Sequence, residues 1–94
     1  MTTPDYIRAH RHSYRNRDEV MSSALCGCFH CLESFRPTDI VKWTDVGKTA
    51  VCPNCGIDSV IGNESGYQIT RAMLKQMQIY WFDDDKRRLW EKAT

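Results

Sequence analysis

Cys26-Gly27-Cys28-Phe29-His30-Cys31 and Cys52-Pro53-Asn54-Cys55-Gly56, with twenty residues between Cys31 and Cys52, decide how this chain is read. Each stretch contains a C-x-x-C pair. That spacing lets two thiolates reach one ion while nearby backbone N–H groups point at the sulfurs. Two pairs supply four soft ligands, the tetrahedral closed set of structural zinc. Pro53, Asn54 and Gly56 are turn formers, so the cysteines of the second pair do not read as ordinary apolar core. A redox C-x-x-C belongs beside a βαβ pattern, and none is present. The expected metal site is therefore Cys28, Cys31, Cys52 and Cys55, with Zn2+ as cofactor.

Length and cysteine count agree with this reading. Ninety-four residues allow one domain, and a domain this small often needs a staple beyond its apolar core. Five cysteines are many for a chain this size, and their odd number argues against a closed disulfide framework. The start, MTTPDYIRAHRH, has no apolar signal region, and no apolar run approaches a membrane span. The expectation is a cytoplasmic protein with no membrane partner, in a compartment where thiols stay reduced. Thirteen basic against twelve acidic residues leave a net charge of +1, which gives no strong global attraction to nucleic acid.

Outward from the cysteines, residues 1–25 read as helical. Thr3, Pro4 and Asp5 suit a first turn, and Ser13 or Asn16 offers a second start before Asp18 and Glu19. One long helix and two short ones both fit, and Gly27 is expected to end the segment. Between the pairs, Ile40, Val41, Trp43, Val46, Ala50 and Val51 favour strands, with Asp45–Lys48 as the turn of a hairpin. Val60 and Ile61 form a short apolar piece. Thr70 reads as the cap of a last helix, in which Met73, Leu74, Met77, Tyr80 and Trp81 share one face. This helix is expected to pack across the zinc-bearing hairpin. The fold class is small α+β: a zinc-ribbon-like β-hairpin with two C-x-x-C knuckles, flanked by N-terminal and C-terminal helices. Residues 1–82 read as one zinc-binding domain and residues 83–94 as a charged C-terminal extension.

Other candidates are weaker. Cys26 stands in C-x-C spacing with Cys28, which cannot form the same turn as C-x-x-C. It reads as a small apolar residue at a helix end, or as an accessory thiol near the metal. His30 points away from the ion if both flanking cysteines ligate. Arg8, Arg11, His12 and Arg15 fall at helical spacing, and with Arg17 they offer a face for nucleic acid or an acidic partner, or a plain solvated surface. Asp58 follows the second knuckle and lacks a partner base. All three histidines, His10, His12 and His30, precede the second pair, which removes an HNH-type nuclease. A zinc deaminase needs H-x-E and P-C-x-x-C, whereas this chain has C-P-x-C. No H-E-x-x-H, phosphate loop or dinucleotide fingerprint occurs.

The run Cys26-Gly27-Cys28-Phe29-His30-Cys31, then Trp43-Thr44-Asp45, then Ala50 to Gly62 with its CPNCGIDSVIG core, resembles a family of short bacterial cytoplasmic proteins with a zinc-ribbon-like core. The similarity runs from about His12 to Phe82. It implies a bacterial or phage-related origin and brings no activity with it. Its motif includes Cys26 and Asp58. The reading is a non-catalytic zinc protein that binds a protein partner through Trp81, Phe82 or Trp90. The alternatives are a nucleic-acid-binding zinc ribbon using Arg8, Arg11, Arg15 and Arg17, and a small metalloenzyme in which Cys26 or Asp58 acts near the ion.

Overall fold

The computed structural model describes residues 3–82. The charged extension, with Leu89 and Trp90, lies outside the described residues. The elements are α1 (Asp5–Arg8), a 3₁₀ turn (Ala9–Ser13), α2 (Arg17–Met21), β1 (Cys26–Cys28), β2 (Ser34–Phe35), β3 (Trp43–Thr44), β4 (Thr49–Ala50), β5 (Val60–Gly62) and α3 (Arg71–Phe82). The class is small α+β, as expected.

The N-terminal segment is not one long helix but two short ones, α1 and α2, with the 3₁₀ turn and a break between them. Tyr14 is extended, and Arg15 takes a left-handed φ of 48°. The cause is Asn16. Its side-chain amide donates to the carbonyls of His12 (2.9 Å) and Val60 (2.8 Å), and its oxygen accepts from the Ala50 N–H (3.0 Å). Asn16 heads α2 by position, but its side chain makes no capping bond there. It is buried and ties the N-terminal segment to β4 and β5. A continuous helix would carry this amide away from both strands.

Two small antiparallel sheets follow. β1 sits between β2 and β5, with Cys26 opposite both Phe35 and Gly62, Gly27 opposite Ser34 and Ile61, and Cys28 opposite Val60. β3 and β4 form the expected hairpin, pairing Trp43 with Ala50 and Thr44 with Thr49. Its turn holds Asp45, Val46 and Gly47 at positive φ, and Asp45 accepts a hydrogen bond from the Thr49 hydroxyl. Gly27 does not end a helix; it is the middle of β1. A Cβ there would lie 2.7 Å from the Ile69 side chain and 2.8 Å from Leu74, so its hydrogen is what lets Leu74 of α3 sit on the sheet.

Two clusters of buried side chains result. One joins Ala9, Phe29, Leu32, Ile61, Leu74 and Met77, with Tyr6 and Trp81 packed against it. The other joins Val20, Cys26, Cys28, Ile40, Cys52 and Val60, with Cys31 and Cys55 against it. Thr70 caps α3 as its sequence suggests, accepting from the Met73 N–H at 3.1 Å. The apolar face of α3 covers Phe29 and Leu32 around the first knuckle, and Gln78 donates to the His30 carbonyl at 2.8 Å. The helix therefore seats on β1 and the first knuckle, a correction to the expectation that it crosses the hairpin.

Candidate metal centre

Each cysteine pair closes a turn of the same design. In the first, the Leu32 N–H donates to the Cys28 carbonyl (2.8 Å) and the His30 N–H to the Cys28 sulfur (3.3 Å). In the second, the Gly56 N–H donates to the Cys52 carbonyl (3.0 Å) and the Asn54 N–H to the Cys52 sulfur (3.3 Å). Both turns place the residue after the second cysteine in the left-handed region, Leu32 at φ 68° and Gly56 at φ 79°. Glycine takes that conformation freely, whereas leucine carries strain there that its surroundings must hold. Leu32 is buried in the core beneath α3, and that packing holds it.

The knuckles face each other. The first connects β1 to β2 and the second follows β4, so the four cysteines come from two sheets rather than from one hairpin. Their sulfurs all lie within 4.8 Å of one another. The Cys28–Cys55 and Cys31–Cys52 sulfurs stand 3.7 Å apart. Four thiolates about 2.3 Å from a tetrahedral ion stand about 3.8 Å from each other, whereas a disulfide requires about 2.05 Å. The separation matches shared coordination and excludes a disulfide, and all five thiols are free. The donor set therefore fits a metal ion.

The surroundings suit thiolates. The Ser59 hydroxyl lies 3.0 Å from the Cys28 sulfur, the Asn54 side-chain amide donates to Cys31 at 3.5 Å, and the Cys55 N–H donates to Cys52 at 3.4 Å. Without metal, burial pushes the Cys28 thiol far above the ordinary range, against the hydrogen bonds from Ser59 and the knuckle amides. Burial also raises Cys55. At Cys31 burial acts in the same direction, but donors led by the Asn54 amide outweigh it and the thiol falls below its usual value. A divalent ion held among the four sulfurs would supply the positive charge that favours their thiolate forms.

Cys26 is not part of the group. It is fully buried in β1, its sulfur 3.9 Å from the Val20 carbonyl, and burial raises its pKa to about 11. It fills core space in a strand, not at a helix end. His30 is exposed and stacks edge-on against Phe82 with ring centroids 4.8 Å apart. Asp58 is exposed and lines a recess of about 180 Å³ shared with Ser59, one residue removed from the Cys28 sulfur.

The arginines do not form one helical face. Arg8 ends α1, Arg11 lies in the 3₁₀ turn, and Arg15 follows the extended Tyr14. Arg17 is committed to the hairpin, its guanidinium 4.6 Å from the Trp43 ring and donating to the Gly47 carbonyl at 2.8 Å. Trp81 is half-buried against the core and donates its indole N–H to the Tyr6 carbonyl at 3.1 Å. Leu32 and Ser59 were not among the sequence candidates, and Asn16 was one only as a helix cap. The position of Leu32 matching Gly56 in the two knuckles is the one signal that pointed to it.

The fold and the site together define a small α+β protein built around four cysteines close enough to hold one metal ion. Comparison with known protein families, with curated proteins and with solved structures finds no match to this chain. Among the described residues no helix is long and apolar enough to cross a membrane.

Proposed function

We propose that this chain binds one zinc ion through Cys28, Cys31, Cys52 and Cys55, and that the ion is structural. The observation that carries the reading is the 3.7 Å spacing of sulfurs drawn from opposite knuckles. Zinc is favoured over other ions because four thiolates in tetrahedral array are its usual structural set. Four sulfurs fill that array and leave no position for water or substrate, so the centre supports folding rather than hydrolysis. The activity left to the molecule is binding at its surface, in our reading to a protein partner. Exposed Tyr14, Val41, Val46 and Phe82 give it apolar contact points.

The test is metal content of protein purified without added metal, for the parent chain and for each cysteine changed singly to serine. One zinc per chain is expected. It should be lost on changing Cys28, Cys31, Cys52 or Cys55 and kept in Cys26→Ser. Substitution with cobalt(II) should give the charge-transfer bands of a four-sulfur site. Retention of metal in one of the four single variants, or a cobalt spectrum of mixed sulfur and oxygen ligation, would overturn a closed four-sulfur centre.

A further inference from the structure

Beside the metal centre, the recess of about 180 Å³ is lined by His10, Tyr14, Phe29, Asp58 and Phe82, with Ser13 and Ser59 completing it. Tyr14 and Phe82 are 57% and 46% exposed, and both belong to this one concavity. Their setting is fixed from behind. His10 lies 3.9 Å from the Trp81 ring, and Phe82 is held against His30 and against Phe29 at 5.8 Å.

The lining has a definite chemical bias. Both serine hydroxyls are engaged, Ser13 donating to the His10 carbonyl and Ser59 paired with the Cys28 sulfur. Among the described residues no lysine or arginine lines the recess, and Asp58 supplies a carboxylate. Burial holds the His10 pKa below its ordinary value despite the nearby Asp58, which favours the neutral ring at pH 7. Ring faces attract a cation through their quadrupole, and a carboxylate adds a charge partner. The fixed cation nearby is Arg15, whose guanidinium lies 5.5 Å from the Tyr14 ring.

We infer that this recess binds the positively charged head group of an arginine or lysine side chain presented by a partner polypeptide. The inference rests on the protein-binding reading above and specifies its chemistry: the partner brings a basic residue. Among the described residues an anionic ligand would meet Arg15 and would face Asp58.

The probe is Nα-acetyl-arginine amide, titrated into the zinc-loaded full chain at low salt and followed by amide chemical shifts. The neutral citrulline analogue is the control. Saturable, weak binding is expected, with shifts clustered around Tyr14, Asp58 and Phe82 and with citrulline clearly weaker. Exposed cation–π and charge contacts are each worth roughly two- to fivefold in affinity, so Asp58→Asn and Phe82→Leu should each weaken binding by about that factor. Arg15→Gln should leave binding unchanged or tighten it. Citrulline binding as well as arginine, shifts located elsewhere, or an Asp58→Asn variant with unaltered affinity would overturn the site. A partner protein whose capture ignores Asp58→Asn would overturn it too, while leaving the protein-binding reading intact. Probe binding as described, with no protein partner found, would uphold the recess and count against the interaction module alone.

Discussion

Asn16 shows how one side chain can set a segment's path. Its amide bonds to Val60 and Ala50, two backbone groups in different strands, and to His12 in its own segment. Each buried group left unpaired costs about 1–3 kcal/mol, so Asn16→Ala should destabilise the zinc-loaded protein by at least about 2 kcal/mol. Denaturant titration measures this; a loss below about 0.5 kcal/mol would show that the junction holds without the amide. Zinc content should stay at one per chain in the folded variant, because Asn16 touches no sulfur. Nothing local to residues 10–20 announces this role. The sequence offered Asn16 as a cap because asparagine caps helices often, whereas its partners lie 34 and 44 positions away.

At the scale of elements, the legible parts are those whose cause is local. The β3–β4 hairpin follows from its apolar runs and from Asp45–Lys48, and α3 follows from its spacing and from Thr70. Both knuckles follow from C-x-x-C alone. β1 was not legible, because three residues with a central glycine carry no periodicity, and Gly27 makes sense only beneath Leu74. That contact gives a test. Gly27→Ala should cost about 1–3 kcal/mol by overpacking against Ile69 and Leu74. Leu74→Ala should cost about 2–5 kcal/mol by leaving a cavity. The double variant should lose less than the sum, since the new methyl enters the space the leucine leaves. Strict additivity in a double-mutant cycle would mean that helix and strand do not meet there. The four ligands could be read from the sequence for the same local reason as the knuckles, while the pairing of sulfurs across knuckles depends on the sheets that carry them.

For the molecule as a whole, the metal centre and the core are not separate. Cys28 and Cys52 are members of the buried cluster formed by Val20, Ile40 and Val60. Leu32, one residue beyond Cys31, belongs to the other cluster, under α3. β5 carries residues of both, Val60 in one and Ile61 in the other, and Phe29 of that second cluster directly follows β1, so metal removal should reach the whole described domain. Structural zinc contributes about 10–16 kcal/mol in small zinc-finger peptides, as much as the entire stability of many domains. Chelation should therefore abolish the cooperative melt and strip amide-exchange protection from residues 26–62, with the capped helix α3 losing its seat on β1. Proton linkage sharpens the prediction. Thiols are protonated at neutral pH, and burial keeps Cys28 and Cys55 more firmly so in the metal-free protein. Zinc must displace those protons, and each displaced proton makes the apparent affinity rise about tenfold per pH unit. With at least these two thiols protonated, zinc affinity in competition with a chelator should climb at least about a hundredfold per unit between pH 6 and 8. Conversely, acid should release the ion and unfold the protein in one step. A flat affinity profile over that range would mean that the ligands are not thiols losing protons, and metal release without loss of the melt would mean that the core stands without its ion.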